Sequence, residues 1–284
     1  MEVRVKLTLL VDNNTLIDHY FLAEPGVAYF IDIDNAKVLF DTGYSDVFLK
    51  NAAKMGIDVL DVDTVVLSHA HLDHTWGLQH LIQAYAERQF ENRPAKRPTL
   101  IAHPSVFDRR FIPGIGDIGC LVTEETVGQY FDLQLTDQPT WLHPDLVFLG
   151  EIPRENDFEA CDPIGRIRQA DAETDDFLLD DTSLAYRSSQ GLVIITGCAH
   201  AGICNTVVHA MRVCEDSRLV DIIGGFHLLD PTNKQLNNTV EKIAAWKPKR
   251  LHACHCTDLK SKLALSRAAD LHEVGVGLEL TYES

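Results

Sequence analysis

Ser68-His69-Ala70-His71-Leu72-Asp73-His74 places three imidazoles and one carboxylate within six residues, directly after the apolar run Val65-Val66-Leu67. His69 and His71, two apart in extended chain, project to the same side and can ligate one ion, while Asp73 and His74, at a helix entrance, can turn toward a second. Any one of these histidines alone reads more simply as a solvated cap residue; the cluster behind a buried strand does not. A borderline-soft nitrogen set suits zinc, and a dinuclear site lets a bridging water be deprotonated near neutral pH. The expected cofactor is one or two divalent cations, zinc first, with manganese or iron as alternatives.

Outward from this stretch, Leu78, Leu81, Ile82 and Tyr85 fall at i, i+3, i+4 and i+7, which predicts a helix over about Thr75 to Gln89. A strand thus runs into a histidine-rich loop and out into a helix. Upstream, alternation predicts strands at Val3 to Val11, Ala28 to Ile33 and Lys37 to Phe40, the last two joined by a turn at Asp34-Asn35. Glu91 to Asp180 is punctuated by prolines and weakly periodic; it reads as loops and short strands such as Leu100-Ile101 and Leu146 to Leu149, covering a pocket. Beyond it come a hairpin, Ser183 to Tyr186 and Leu192 to Thr196, then a helix at Asn205 to Val213, a strand at Asp221 to Ile223, a helix at Val240 to Trp246 and a strand at Leu251 to Ala253. Strands first and alternating units later, in both halves, predict an α/β four-layer αββα sandwich: two mixed sheets face to face with helices outside. No Gly/Ser linker divides the chain, so residues 1–284 read as one domain with 91–180 as its loop-rich cover.

Three more histidines follow the predicted strands of the back half: His200, His227 and His255. Strand ends converge on a shared edge, so these are candidate ligands, His200 and His255 ahead of His227, which reads as a ligand or a substrate contact. Asp73 is a candidate catalytic carboxylate as well as a ligand. Asp41, ending a strand before Gly43, is either an acceptor that fixes the metal-site histidines or a turn-former. Cys198 sits where a bridging carboxylate would be useful, with plain packing the alternative, and Cys254 and Cys256 read as buried small residues. Asp180 and Asp181 read as a solvated pair.

The formal net charge of −17 leaves no broad phosphate-backbone surface, which argues against nucleic acid, though cations in a pocket would still admit an anionic small molecule. Seven cysteines without an export signal fit a cytoplasmic location, and no apolar run is long enough for a membrane span. Nothing in the sequence fixes an oligomeric state.

Phe40-Asp41-Thr42-Gly43 followed by the His69–His74 cluster resembles the metallo-β-lactamase superfamily. Gly150-Glu151-Ile152-Pro153-Arg154, Gly197-Cys198-Ala199-His200-Ala201-Gly202-Ile203, Gly224-Gly225-Phe226-His227 and His255-Cys256-Thr257 look like its dihydropterin ribofuranosylaminobenzene phosphate synthase-like branch. The resemblance implies the αββα sandwich with metals at one sheet edge, Asp41 supporting the site, and His69, His71, Asp73 and His74 as ligands joined by His200. It also implies departures: Cys198 replaces the usual bridging aspartate, and Asp258 stands where a glycine is usual. The expected activity is a metal-dependent hydrolase or related transferase, in which a metal-activated water or hydroxide attacks a small-molecule ester, lactone, thioester or phosphoester. A pterin-linked activity would need a pocket for a phosphorylated ribose, with Arg154 as a candidate clamp. The alternatives are a mono-iron oxidoreductase on the same fold and a non-catalytic ligand-binding sensor.

Overall fold

The computed structural model describes residues 4–34, 36–170 and 172–283; Val3 and Asn35, at the edges of two predicted elements, lie outside them. In chain order the strands are β1 (Arg4–Val11), β2 (Ala28–Ile33), β3 (Ala36–Phe40), β4 (Thr64–Val66), β5 (Thr99–Ala102), β6 (Arg109–Ile112), β7 (Gly116–Asp117), β8 (Asp132–Leu135), β9 (Thr140–His143), β10 (Leu146–Phe148), β11 (Arg166–Gln169), β12 (Ala172–Asp175), β13 (Ser183–Ser188), β14 (Gly191–Thr196), β15 (Leu219–Gly225), β16 (Arg250–Cys254) and β17 (Glu279–Glu283). The helices are α1 (Val47–Lys54), α2 (Leu72–Thr75), α3 (Leu78–Phe90), α4 (Glu124–Val127), α5 (Ile203–Cys214), α6 (Asn233–Trp246) and α7 (Leu259–Leu265).

A seven-stranded sheet, β17-β1-β2-β3-β4-β5-β8, faces a six-stranded one, β16-β15-β14-β13-β10-β9. Alternation along the strands builds the layers. Tyr29, Ile31 and Ile33 of β2 meet Phe148, Leu184, Tyr186 and Ile195 in the core between the sheets. Their neighbours Ala28 and Phe30 point the other way, onto Phe48 of α1 and Leu78, Leu81 and Tyr85 of α3. On the far side, Leu192, Ile194 and Ile222 pack under Val207 and Ala210 of α5 and Leu236 and Ile243 of α6. Each sheet is thus buried on both faces, as the four-layer expectation requires.

Two expectations need correction. The predicted helix over Thr75 to Gln89 is two helices: Gly77 keeps helical dihedrals but donates its amide to Gly43 at 3.1 Å, and a Cβ there would lie 2.1 Å from the carbonyl oxygen of Thr42. The middle segment is also richer in strands than its prolines suggested. β5 and β8 extend the first sheet, β9 and β10 extend the second, and β12-β11-β6-β7 form a third sheet of four. Such short strands carry little periodicity and are defined by partners far along the chain. β17, which pairs with β1, was not anticipated either.

The topology creates one functional edge. β3, β4 and β5 run parallel, as do β14, β15 and β16, so their carboxyl ends, and the residues that follow, gather at one end of the sandwich.

Candidate metal centre

His69, His71, Asp73 and His74 follow β4, Asp41 follows β3, and His200, His227 and His255 follow β14, β15 and β16. The backbone is sharply turned there: Asp41, Ala199, His227 and His255 all have positive φ, from 42° to 61°. Such conformations cost non-glycine residues about 1–3 kcal/mol and persist where the surroundings impose them.

Five trios of ligand atoms result among the described residues, three of them through Cys198 and two without it. His69, His71 and His200 form one, and Asp73, His74 and His255 the other, with the ligand atoms of each group within 4.8 Å of one another. The Nε2 atoms of His69 and His200 lie 3.1 Å apart, and those of His74 and His255 lie 3.3 Å apart. His227 stands beside His200, its Nδ1 3.7 Å from Cys198 Sγ. Burial holds His69 and His200 well below the ordinary imidazole range and takes His71 down to about 3. Burial acts the same way on His74, but Asp73 and Asp41 outweigh it and raise that ring to about 9. Two neutral rings whose Nε2 atoms face one another at 3.1 Å can share only one N–H between them, and His71 Nε2 is buried without a partner. A divalent cation is what such a donor set fits.

The ligands are held from behind. Asp41 Oδ2 is 2.7 Å from His74 Nδ1 and accepts the Ser68 hydroxyl at 2.7 Å; Asp41 Oδ1 accepts the Ser68 amide at 2.7 Å. Ser68 Oγ in turn lies 2.9 Å from His69 Nδ1, so one carboxylate orients a histidine of each trio. Asn13 Oδ1 is 2.9 Å from His255 Nδ1, and Asp12 accepts the His255 amide at 3.0 Å. These contacts turn the Nε2 atoms of His74 and His255 inward. Gly197 permits the close approach: a Cβ there would lie 2.3 Å from Ser68 Oγ and 2.8 Å from Asp41 Oδ2. Gly197→Ala is therefore expected to lower stability by about 1–3 kcal/mol through overpacking, read by thermal unfolding. An unchanged midpoint would show that the Ser68 loop yields freely.

Asp180 and Asp181 are not the solvated pair expected; they are 0% and 1% exposed. Asp180 Oδ2 accepts the amide of Ala70, between His69 and His71, at 2.8 Å, and Asp181 Oδ2 accepts the amide of Ala201, next to His200, at 2.8 Å. Burial pushes Asp181 up to about 7. Arg110, fully buried on β6, contacts Asp180 at 2.8 Å and Asp176 at 2.9 Å, tying the third sheet to the His69–His71 turn. Asp258, at the position of the usual glycine, caps α7 by accepting the Ser261 amide at 2.7 Å and adopts ordinary extended φ, so no glycine is needed.

A cleft of about 240 Å³ opens onto His200 and His227, walled by Phe158, Phe177, Lys234 and Gln235 among others. Next to Phe158, Glu159 accepts the amides of Cys204 and Asn205 at the start of α5. Arg154 does not line this cleft. Its Nη2 donates to the carbonyls of Phe177 and Leu178, and its side chain lines a neighbouring cleft with His103 and Arg110. Cys254 is buried against Tyr29 as anticipated, whereas Cys256 Sγ sits 2.9 Å from Cys198 Sγ. Sequence reading missed Ser68, Asn13, Arg110 and Cys256. Only Ser68, inside the motif itself, offered a signal.

The family model for the metallo-beta-lactamase superfamily matches residues 22–255. Among curated proteins, the 7,8-dihydropterin-6-methyl-4-(beta-D-ribofuranosyl)-aminobenzene-5'-phosphate synthase of Methanocaldococcus jannaschii is 26% identical over 271 residues, covering 91% of this chain and 89% of its own. An uncharacterized protein of the same organism is 28% identical over 272 residues, covering 92% and 94%. The crystal structure of Tm1679, a metal-dependent hydrolase of the beta-lactamase superfamily, superposes with a TM-score of 0.82 at 26% identity, over 99% of this chain and 100% of that one. With the two histidine-rich trios at the carboxyl edge of a four-layer sandwich, these matches identify the chain as a member of the metallo-beta-lactamase superfamily.

Proposed function

We propose that this chain is a dinuclear metal-dependent hydrolase or related transferase acting on a small-molecule phosphoester or ester. The observation that carries the reading is the pair of ligand trios, His69/His71/His200 and Asp73/His74/His255, set side by side, with His200 of the first trio reaching the wall of the cleft. His69, His71 and His200 would hold one cation, zinc first, and Asp73, His74 and His255 the other. When bound, a divalent cation supplies Lewis acidity: it gives a water-derived nucleophile near neutral pH and neutralises charge developing on the substrate.

The chain's own residues supply the rest. Asp41, through Ser68 and His74, and Asn13, through His255, fix ring tautomers so that lone pairs face inward. Burial pushes the Asp73 carboxyl up, but His74 and His255 outweigh it and keep it ionised, ready to ligate and to accept a proton from the attacking water. His227 faces the cleft and takes the role of substrate contact, with His255 completing the second trio. Lys234, on the cleft wall, is paired with Asp157 at 2.8 Å and would exchange that carboxylate for a phosphorylated substrate, a class named in the synthase relative. Residues 91–180 supply the cover, through Phe158 and Phe177. Seven unpaired cysteines favour a reducing, cytoplasmic setting, and no helix among the described residues is long and apolar enough to cross a membrane.

The test is a panel of phosphodiesters, phosphomonoesters, esters, lactones and thioesters, assayed with metal-loaded and chelated protein. Turnover of one class, abolished by chelation and restored by zinc, is the expected result. Saturable binding with no product from any class would replace the enzyme with a ligand sensor.

A further inference from the structure

The neighbouring cleft that Arg154 lines, of about 320 Å³, has no part in the scheme above. Residues 177–179 divide it from the metal-side cleft: Phe177 borders both, Leu178 lines the first and Leu179 the second. Phe177 and Leu179 are 41% and 52% exposed, and with Ile167 of β11 they give the second cleft a largely apolar wall. Its volume and lining are those of a small-molecule site. One charge meets this wall without a counter-ion. The arginines of the third sheet are all paired: Arg109 with Asp117, Arg110 with Asp176 and Asp180, Arg166 with Asp175, and Arg168 with Glu173. The carboxylates that line the cleft, Asp175 and Asp176, are thereby already matched. Arg154 makes no ion pair among the described residues: its Nη2 donates to two neutral carbonyls, and its Nε is buried with no partner. An unmet donor on an uncompensated cation, beside apolar surface, calls for an anion.

We propose that this second cleft binds a small organic anion with an apolar body, of the aryl or branched-alkyl carboxylate class. Nη2 belongs to both two-pronged edges of a guanidinium, and here it is committed to the carbonyls of Phe177 and Leu178. The fork that phosphate recognition uses is therefore incomplete, and the N–H left at Nε suits a single carboxylate oxygen. The body of the ligand packs on Ile167, Phe177 and Leu179, with Thr174, exposed on β12, at the rim. The proposal is independent of the metal-centre reading, because its lining residues belong to neither trio. Its position still gives it a consequence. The dividing segment runs on into Asp180 and Asp181, which hold the amides of Ala70 and Ala201, so the anion sits one short segment from both metal-binding turns.

The test irradiates the full chain, as purified, with para-benzoylbenzoate, a photoreactive aryl carboxylate, and maps the labelled residues by mass spectrometry. Calorimetry with benzoate supplies the affinity. Saturable labelling at Ile167, Thr174 or Leu179, displaced by benzoate but not by acetate or benzyl alcohol, is the expected result. Arg154→Met is expected to weaken benzoate binding at least about 10-fold, as loss of a hydrogen bond to a charged group does. That variant also frees two backbone carbonyls, so Thr174→Trp, which fills the cleft from an exposed strand position, is the second and is expected to weaken binding comparably. Label confined to Phe158, Lys234 or Gln235 would place the anion in the metal-side cleft and overturn the proposal. So would benzyl alcohol binding as tightly as benzoate, an affinity unchanged in both variants, or no saturable labelling at all.

Discussion

His71→Ala and His200→Ala, purified without chelator, are expected to fold and to lose metal, while wild type carries two ions per chain. His71 Nε2 has no hydrogen-bond partner, so its loss breaks no hydrogen bond at that atom in the metal-free fold. His200 lacks a partner at Nδ1, and its Nε2 faces only His69. Activity should fall by more than about 100-fold, since removing even the hydrogen-bond partners of metal ligands typically costs 10–100-fold. A second readout is thermal. Metal at about 100 times its dissociation constant stabilises the native state by roughly 2.7 kcal/mol, so zinc should raise the wild-type unfolding midpoint by several degrees and the variant midpoints by less. Elemental analysis decides: wild-type stoichiometry retained in both variants would sink the assignment of these histidines.

Arg110→Met should be the most destabilising single change outside the cores, by about 3–5 kcal/mol, because it leaves the carboxylates of Asp176 and Asp180 buried without their cation. For a chain of this size that is on the order of 10 °C in the unfolding midpoint. The damage should not stay local. Asp180 holds the Ala70 amide between His69 and His71, so metal affinity should fall alongside stability. Adding Asp176→Asn and Asp180→Asn to Arg110→Met should recover part of the loss, since neutral amides cost less to bury than unpaired charges. A midpoint within 1–2 °C of wild type for Arg110→Met would show that the ion cluster contributes little, as happens when desolvation cancels Coulomb attraction.

The site was legible in proportion to how local its residues are. His69, His71, Asp73 and His74 sit in one turn, and a strand-to-helix pattern around them is visible in the periodicity of Val65 to Tyr85. His200, His227 and His255 were candidates because each follows a predicted strand, yet nothing local could show that His255 joins Asp73 while His227 faces the cleft. Asp180 and Asp181 were misread for the same reason. Two adjacent aspartates look solvated until Arg110 and the amides of Ala70 and Ala201 are brought to them across the fold. Arg154 also acquires partners that the sequence does not show: its Nη2 donates to the carbonyls of Phe177 and Leu178 across the fold.

By itself, then, the sequence determined the layered α/β architecture and the metal-binding turn, because alternation, helical periodicity and a six-residue ligand cluster are short-range properties of the chain. Tertiary structure alone decided the third sheet, the pairing of β17 with β1, which candidate ligand atoms come within reach of one another, and the meeting of Cys198 with Cys256. The ligand contacts depend on parallel strands delivering residues such as His69 and His200, 131 positions apart, to one edge, and hydrophobic burial between the sheets, acting without regard to sequence distance, is what brings them there.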